Sequence, residues 1–191
     1  MDSQKVDKRV IRTQKLIKRT MIELMREKEV RNITVTDICN RADLNRGTFY
    51  TYHPDVYSLV NEIENEILDD VTQIFDAAEP SALGHSKAKE RNRMVLQILE
   101  CFNRHRDVIQ IVFGDKGYIS FQQKLKALFM AKFSQILGKS DTVFADHDGY
   151  LVVYITSGMI GIIQEWIRTG FQKSPEEIAN IMMDIKTRTR S

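Results

Sequence analysis

The side chains with the plainest chemistry in this sequence are cations and hydroxyls. Residues 5–19 hold Lys5, Lys8, Arg9, Arg12, Lys15, Lys18 and Arg19 against a single anion, Asp7. Further on stand Thr34 and Thr36, then the run Arg46, Gly47, Thr48, Tyr50, Thr51 and Tyr52. Guanidinium, ammonium and hydroxyl groups near helix starts are what phosphate oxygens and base edges need as partners. The basic stretch has two readings, an electrostatic footprint for nucleic acid or a solvated helix face. Residues 61–80 reverse the sign, with Glu62, Glu64, Glu66, Asp69, Asp70, Asp76 and Glu79 and no Lys or Arg, so a net charge of +2 hides an uneven distribution.

Other chemistries find less support. His53, His85, His105 and His147 have no histidine three or four residues away, so a metal site would have to be assembled from distant helices; no metal and no cofactor are expected. Cys39 and Cys101 match no metal or redox spacing, which argues against a disulfide framework and fits a reducing cytosol. Cys39 reads as a small buried hydrophobe rather than a redox switch. No Ser-His-Asp, Cys-His, paired-carboxylate or Gly-rich phosphate loop stands in recognisable context, so an enzyme is not expected. The apolar run Tyr150 to Ile163 is shorter than the ~20 residues of a membrane span, and the charged N-terminus is no signal peptide. A soluble cytoplasmic protein with no membrane partner follows.

The elements that must position these groups are helices throughout, because apolar residues recur at helical spacing and no stretch alternates over strand length. The first helix is predicted from about Lys8 to Lys28, its N-terminal turns forming an exposed basic arm, with Ile17, Met21, Leu24 and Met25 as its buried stripe. Thr34 and Asp37 form a capping box flanked by a staple of Ile33 and Ile38, opening a short helix with Val35, Ile38, Cys39 and Ala42 inward and its end at Asp43. Asn45 caps a second short helix, Arg46 to about Tyr52, which stops before Pro54. Asp55 caps a long fourth helix carrying Leu59, Ile63, Ile67, Val71 and Ile74, and a polar loop follows at 80–86.

Further helices are predicted at about 87–106 with Val95, Ile98, Leu99 and Phe102 inward, then around Ile109 and Val112, with Gly114 and Gly117 in the next turn. A seventh covers 119–137 and stops at Gly138. The eighth, about Asp146 to Thr169, is the most apolar; it should be buried on most of its circumference and end at Gly170. Ser174, Pro175 and Glu177 then open a last helix to about Lys186. The fold class is all-α with about nine helices.

Two short helices joined by a tight turn have the dimensions of a helix-turn-helix, whose second helix enters the major groove. The string ITVTDICNRADLNRGTFYTYHPDVYSL resembles the DNA-binding signature of the TetR/AcrR family of transcriptional regulators, above all at Ile33-Thr34-Val35, Asp37-Ile38, Ala42 and Gly47-Thr48-Phe49-Tyr50. The chain departs from that pattern at four positions. Asp43 stands where glycine is usual, Asn45 replaces serine, His53 stands for Phe or Tyr, and Val56 stands for a phosphate-contacting Lys. The segments IENEIL, GDKGYISFQQKL, SGMIGIIQEWIRTG and SPEEIA resemble the C-terminal domain of Firmicutes members, the DhaS-like regulators among them.

The resemblance implies a three-helix DNA-binding domain at 1–54, with its helix-turn-helix at about 34–53, and a helical ligand-binding and dimerisation domain at 55–191. DNA contacts fall to Thr34, Thr36, Arg46, Gly47, Thr48, Tyr50, Thr51 and Tyr52, with Lys8, Arg9 and Arg12 on the arm. Arg46 is the candidate for guanine readout; Phe49, Leu44 and Ile38 hold the reading helix in place. The expected partners are a pseudo-palindromic double-stranded operator, a second copy of the chain, and a small-molecule effector. The function implied is a dimeric, ligand-responsive repressor. The alternative is a TetR-fold coactivator or corepressor that works through a protein partner and binds DNA weakly itself.

Phe102, His105 and Tyr154 are candidates to line an effector cavity walled by the fourth, fifth, seventh and eighth helices. His105, in phase with Ile98 and Phe102, is either a hydrogen-bonded core histidine or a polar group of that pocket. Ser157, Gly158 and Gly161 place small residues on one helical face, flanked by Ile162 and Trp166; close approach of a second copy is favoured there over a slack helix.

Overall fold

The computed structural model describes residues 3–78, 88–113, 119–137 and 148–188. The expected 80–86 loop, the turn glycines Gly114, Gly117 and Gly138, and His85 and His147 lie outside them. Among the described residues the regular structure is helical: α1 Ser3–Glu27, α2 Val35–Ala42, α3 Arg46–Tyr52, α4 Val56–Ala77, α5 Ala88–Arg104, α6 Arg106–Phe113, α7 Ile119–Leu137, α8 Asp148–Arg168 and α9 Pro175–Arg188, with a 3-10 turn at Val30–Asn32. Helix α1 begins at Ser3, ahead of the start expected at about Lys8, and carries the basic arm on its N-terminal turns.

The chain divides into two compact units within α4, between Glu66 and Ile67, later than the boundary expected at 54/55. The first turns of α4 belong to the N-terminal unit because Leu59, Val60 and Ile63 are buried there. In that unit Ile17, Met21, Leu24 and Met25 line the inner face of α1, and α2 packs on α1 and α3 on α2. Ile33 and Ile38 are both buried, as a hydrophobic staple requires, whereas Val35 is only half-buried.

The C-terminal unit is built on aromatic side chains. Phe75, Phe129 and Phe133 meet edge to face with centroids 5.7–6.0 Å apart, and Phe113 meets Phe121 at 5.5 Å. Phe75 takes the buried position expected of Ile74, which is half-buried. Helix α5 packs on α9, and α7 lies against α6 and α8. A second capping box opens α9, with the Ser174 amide donating to Glu177 (2.7 Å) and the Glu177 amide to the Ser174 hydroxyl (3.2 Å).

Helix α8 corrects an expectation. It is not buried around most of its circumference: Val152, Thr156, Ile160, Ile163 and Ile167 point inward, while Tyr150 is 82% exposed, Tyr154 66% and Val153 42%. Apolar residues run all round this helix, but its partners α6, α7 and α9 cover only part of it. By length and composition the stretch Gly149–Arg168, of mean hydropathy 1.3, could also cross a membrane, although its unbroken apolar run is shorter. Beyond its end at Arg168 the chain bends away through Gly170 (φ 72°) and Phe171 (φ 57°), the latter with its ring against Trp166 at 4.6 Å.

Candidate nucleic-acid interface

The helix-turn-helix rests on three local devices, each written in short-range sequence. At the start of α2 the Thr34 hydroxyl accepts from the Asp37 amide (3.1 Å), while Asp37 Oδ2 accepts from both the Thr34 amide (2.8 Å) and its hydroxyl (2.7 Å). Between the helices Asp43 adopts the left-handed conformation, φ 51° and ψ 49°, which a non-glycine residue accepts at a penalty. At the start of α3 the Asn45 side chain accepts from the Gly47 amide at 2.6 Å.

Ion pairs then fix α2 on α1. Arg41 grips Glu27 with two bonds of 2.6 and 2.9 Å, and Lys28 reaches Asp37 at 2.8 Å. The Lys28 ammonium and the Thr34 donors hold the Asp37 carboxyl down at about 2. Carboxylate, cap and ion pair thus act as one unit at this corner.

With α3 held in this way, Phe49 is fully buried while Arg46, Gly47, Tyr50 and Thr51 are exposed and Thr48 and Tyr52 half-exposed. Arg46, Gly47 and Thr51 thus face outward as expected of them, with Thr48 only partly so. Thr51 directs its hydroxyl hydrogen to the Gly47 carbonyl at 2.9 Å, so toward a base it can only accept or offer its methyl. Thr34 departs from expectation: its amide and hydroxyl hydrogens both go to Asp37, leaving no donor for a phosphate. Thr36, exposed in the first turn of α2, keeps that possibility.

On α1 the cations divide into two groups. Lys18 is turned onto Glu62 (2.7 Å) and Glu66, and Arg19 onto Glu23 (3.0 Å), so both serve the fold. Lys8, Arg9, Arg12 and Lys15 are exposed. Lys8, Arg12 and Lys15 share one stripe by their i, i+4, i+7 spacing, which adds Lys15 to the candidate contacts.

The two substituted positions behind α3 serve packing. Val56 is buried, 7% exposed, and offers no charge where the family pattern has Lys. His53 is 2% exposed, its ring tilted against Phe49 with centroids 5.6 Å apart, with Nδ1 3.3 Å from Glu62 Oε2 and Nε2 buried without a partner. Burial pushes its pKa down from 6.5 and outweighs the pull of Glu62. The neutral ring that donates from Nδ1 and leaves Nε2 bare satisfies this environment; tautomer and charge follow from the bonding.

In the C-terminal unit, Phe102 is fully buried and His105 sits 3.0 Å from Asp70 Oδ2, but Tyr154 points out to solvent and cannot line an interior cavity with them. It falls half a turn from the buried Val152 and Thr156. Among the described residues, an open groove of about 650 Å³ runs along α8 and α9, bounded by Gly158, Gly161, Ile162, Trp166, Ile178 and Ile181. Gly158 and Gly161 are open to added side-chain atoms, with nothing within 4 Å, and Ser157 is exposed beside them. Trp166, which also lines the groove, is 2% exposed, its indole N–H donating to the Lys173 carbonyl at 2.8 Å.

Comparison with known proteins agrees with this architecture. Residues 90–187 match the TetR-type family model described as a transcriptional regulator C-terminal region. The uncharacterised HTH-type transcriptional regulator YxbF of Bacillus subtilis (strain 168) is 20% identical over 177 residues, 91% of this chain, which spans about 44% of that relative's length. Among solved structures, the dihydroxyacetone kinase operon activator DhaS superposes with a TM-score of 0.62 at 20% identity, covering 94% of this chain and 96% of its own. NalD, the secondary repressor of the MexAB-OprM multidrug efflux pump in Pseudomonas aeruginosa, superposes at 0.71 with 15% identity over 94% and 96% of the two chains. At these identities the superpositions speak for the fold alone.

Proposed function

The chain belongs to the TetR family of transcriptional regulators, and from that premise we propose that its N-terminal unit reads an operator through α3 while its C-terminal unit pairs with a second copy. The observation that carries the reading is the orientation of α3: Phe49 is sealed inside, and Arg46, Gly47, Tyr50 and Thr51 stand outside at the end capped by Asn45. Arg46 is the one long cation there and reads a base; Gly47 lets the backbone come close. Thr36, Tyr50 and the α1 cations Lys8, Arg9, Arg12 and Lys15 take phosphates.

The exposed apolar face of α8 supports pairing. Tyr150, Val153 and Tyr154 together with the uncovered Gly158 and Gly161 form a surface that a second helix pair can approach closely, and a two-fold dimer presents two reading helices to a pseudo-palindrome. An effector that prefers one arrangement of that dimer would lower operator affinity by changing the spacing of the two helices. Gly158→Arg should convert dimers to monomers or aggregates in sedimentation at micromolar concentration; a monomeric wild type would remove the pairing.

The decisive measurement is a titration of wild type and Arg46→Ala on duplexes from the gene's own upstream region and on scrambled duplex, at several salt concentrations. Arg46→Ala should lose about 1–3 kcal/mol on the operator and little on scrambled DNA. Loss of Lys8, Arg9 or Arg12 should weaken both duplexes alike and flatten the salt dependence. Equal losses on both duplexes by Arg46→Ala would refute base readout.

A second reading draws on Val56. Its burial leaves no phosphate contact where the family pattern supplies one, which suits a TetR-fold coactivator or corepressor acting through a protein partner. An intact dimer that binds no duplex in the titration would select that reading.

A further inference from the structure

Within the C-terminal unit, three side chains of different chemistry converge at the end of α5. His105 follows directly on α5, its amide bonded to the Cys101 carbonyl at 3.1 Å, so the i, i+4 pair Cys101 and His105 shares one side of the chain, and Asp70 approaches from α4. His105 Nε2 is 3.0 Å and Cys101 Sγ 4.0 Å from the same Asp70 oxygen, Oδ2, and the three potential ligand atoms all lie within 4.8 Å of one another.

A hydrogen bond orienting His105 would explain the imidazole and the carboxylate but not the thiol. Cys101 is fully buried, yet its sulfur faces this polar pair. The geometry points to a binding site for one divalent transition-metal ion, of which zinc is the best match, held by Cys101 Sγ, His105 Nε2 and an Asp70 carboxylate oxygen.

The donor set decides the ion class. A thiolate with an imidazole suits zinc, cobalt or copper and disfavours magnesium and calcium, which take oxygen ligands. With metal–ligand lengths of about 2.0–2.3 Å, tetrahedral donors lie roughly 3.4–3.6 Å apart. The two separations from Asp70 Oδ2 fall about 0.4 Å either side of that range and the sulfur and imidazole nitrogen lie within 4.8 Å of each other, so side-chain rotations that draw the three together complete the geometry. Asp70 and His105 remain 40% and 30% exposed, so an ion has a route in and a water can complete the fourth position.

Charge also balances. The thiol releases its proton to solvent as the sulfur–metal bond forms, and thiolate plus carboxylate neutralise the divalent ion. Arg104, whose Nη2 lies 3.9 Å from Asp70 Oδ2, is 66% exposed and can withdraw to water when the ion takes its place.

The test uses the full chain, prepared metal-free under reducing conditions and titrated with cobalt(II). One equivalent should produce near-ultraviolet thiolate-to-cobalt charge transfer and tetrahedral visible bands, both bleached by zinc and untouched by magnesium. Cys101→Ser, nearly isosteric and so spared from misfolding, should abolish the charge-transfer band. His105→Gln and Asp70→Asn should weaken binding by more than the roughly 10–100-fold that outer-shell partners are worth. Cys39→Ser, in the other unit, should leave the spectrum intact. Absence of a thiolate band in the wild type, or its survival in Cys101→Ser, would overturn the site. DNA affinity does not enter this readout, so the result stands apart from that of the operator titration.

Discussion

The two units of this chain are held together by different means. The N-terminal unit places two helices of seven and eight residues with caps and ion pairs: Thr34 with Asp37, Asn45 with Gly47, Arg41 with Glu27, Lys28 with Asp37. The C-terminal unit relies on large rings packed edge to face, Phe75 with Phe129 and Phe133, Phe113 with Phe121, Trp166 with Phe171. Short helices bury too little surface to define their own ends, so directional polar contacts set their orientation. Long helices bury enough for packing to suffice, and their surfaces are then free to carry unmatched apolar faces such as that of α8.

The largest expected effect lies in the aromatic unit. Phe129→Ala removes a fully buried ring at the centre of the cluster and should cost about 3–5 kcal/mol in denaturant titrations. Amide exchange should accelerate in α7 and α8, and equal acceleration in α2 and α3 would show that the units do not differ in what stabilises them.

Deleting a cap probes the other unit. Thr34→Ala should cost about 1 kcal/mol, with the loss confined to amides of α1, α2 and α3. The same corner sets an acid limit. Because Asp37 is held at about 2, below its ordinary 3.8, its contribution is complete above pH 3.8 and disappears as the pH falls toward 2. Asp37→Asn should flatten that part of the stability profile.

A gain of up to about 1 kcal/mol is expected from Asp43→Gly, which relieves the left-handed backbone at the turn; an unchanged Tm would mean that the wild-type aspartate is unstrained there.

The smallest effect appears only on the acid side of neutrality. The folded pKa of His53 lies below 6.5, so the folded state binds fewer protons than the unfolded chain, and stability is lost as pH falls below 6.5 through the folded value. Protonation would put a hydrogen on Nε2, which is buried with no acceptor. His53→Phe should remove this pH dependence while keeping a ring in contact with Phe49; a profile that keeps its slope would assign the titration to another group.

By itself the sequence determined the elements whose ends are encoded locally. The box at Thr34 and Asp37, the cap at Asn45, the box at Ser174 and Glu177 and the stop at Gly170 are decided within a few residues, because a cap bonds to an amide two or three positions away. The buried stripe of α1 and the outward set on α3 were legible for the same reason of period. Tertiary structure decided the rest. Only the fold shows that the Thr34 hydroxyl hydrogen is already committed to Asp37, that Lys18 is paired with Glu62, and that α8 leaves Tyr150 and Tyr154 outside. The spacing of Cys101 and His105 was visible in the chain, but it acquires chemical meaning only when α4 brings Asp70 to them. A helical period fixes which side chains share a face; which face meets a partner depends on residues far away in sequence, and no local pattern records it.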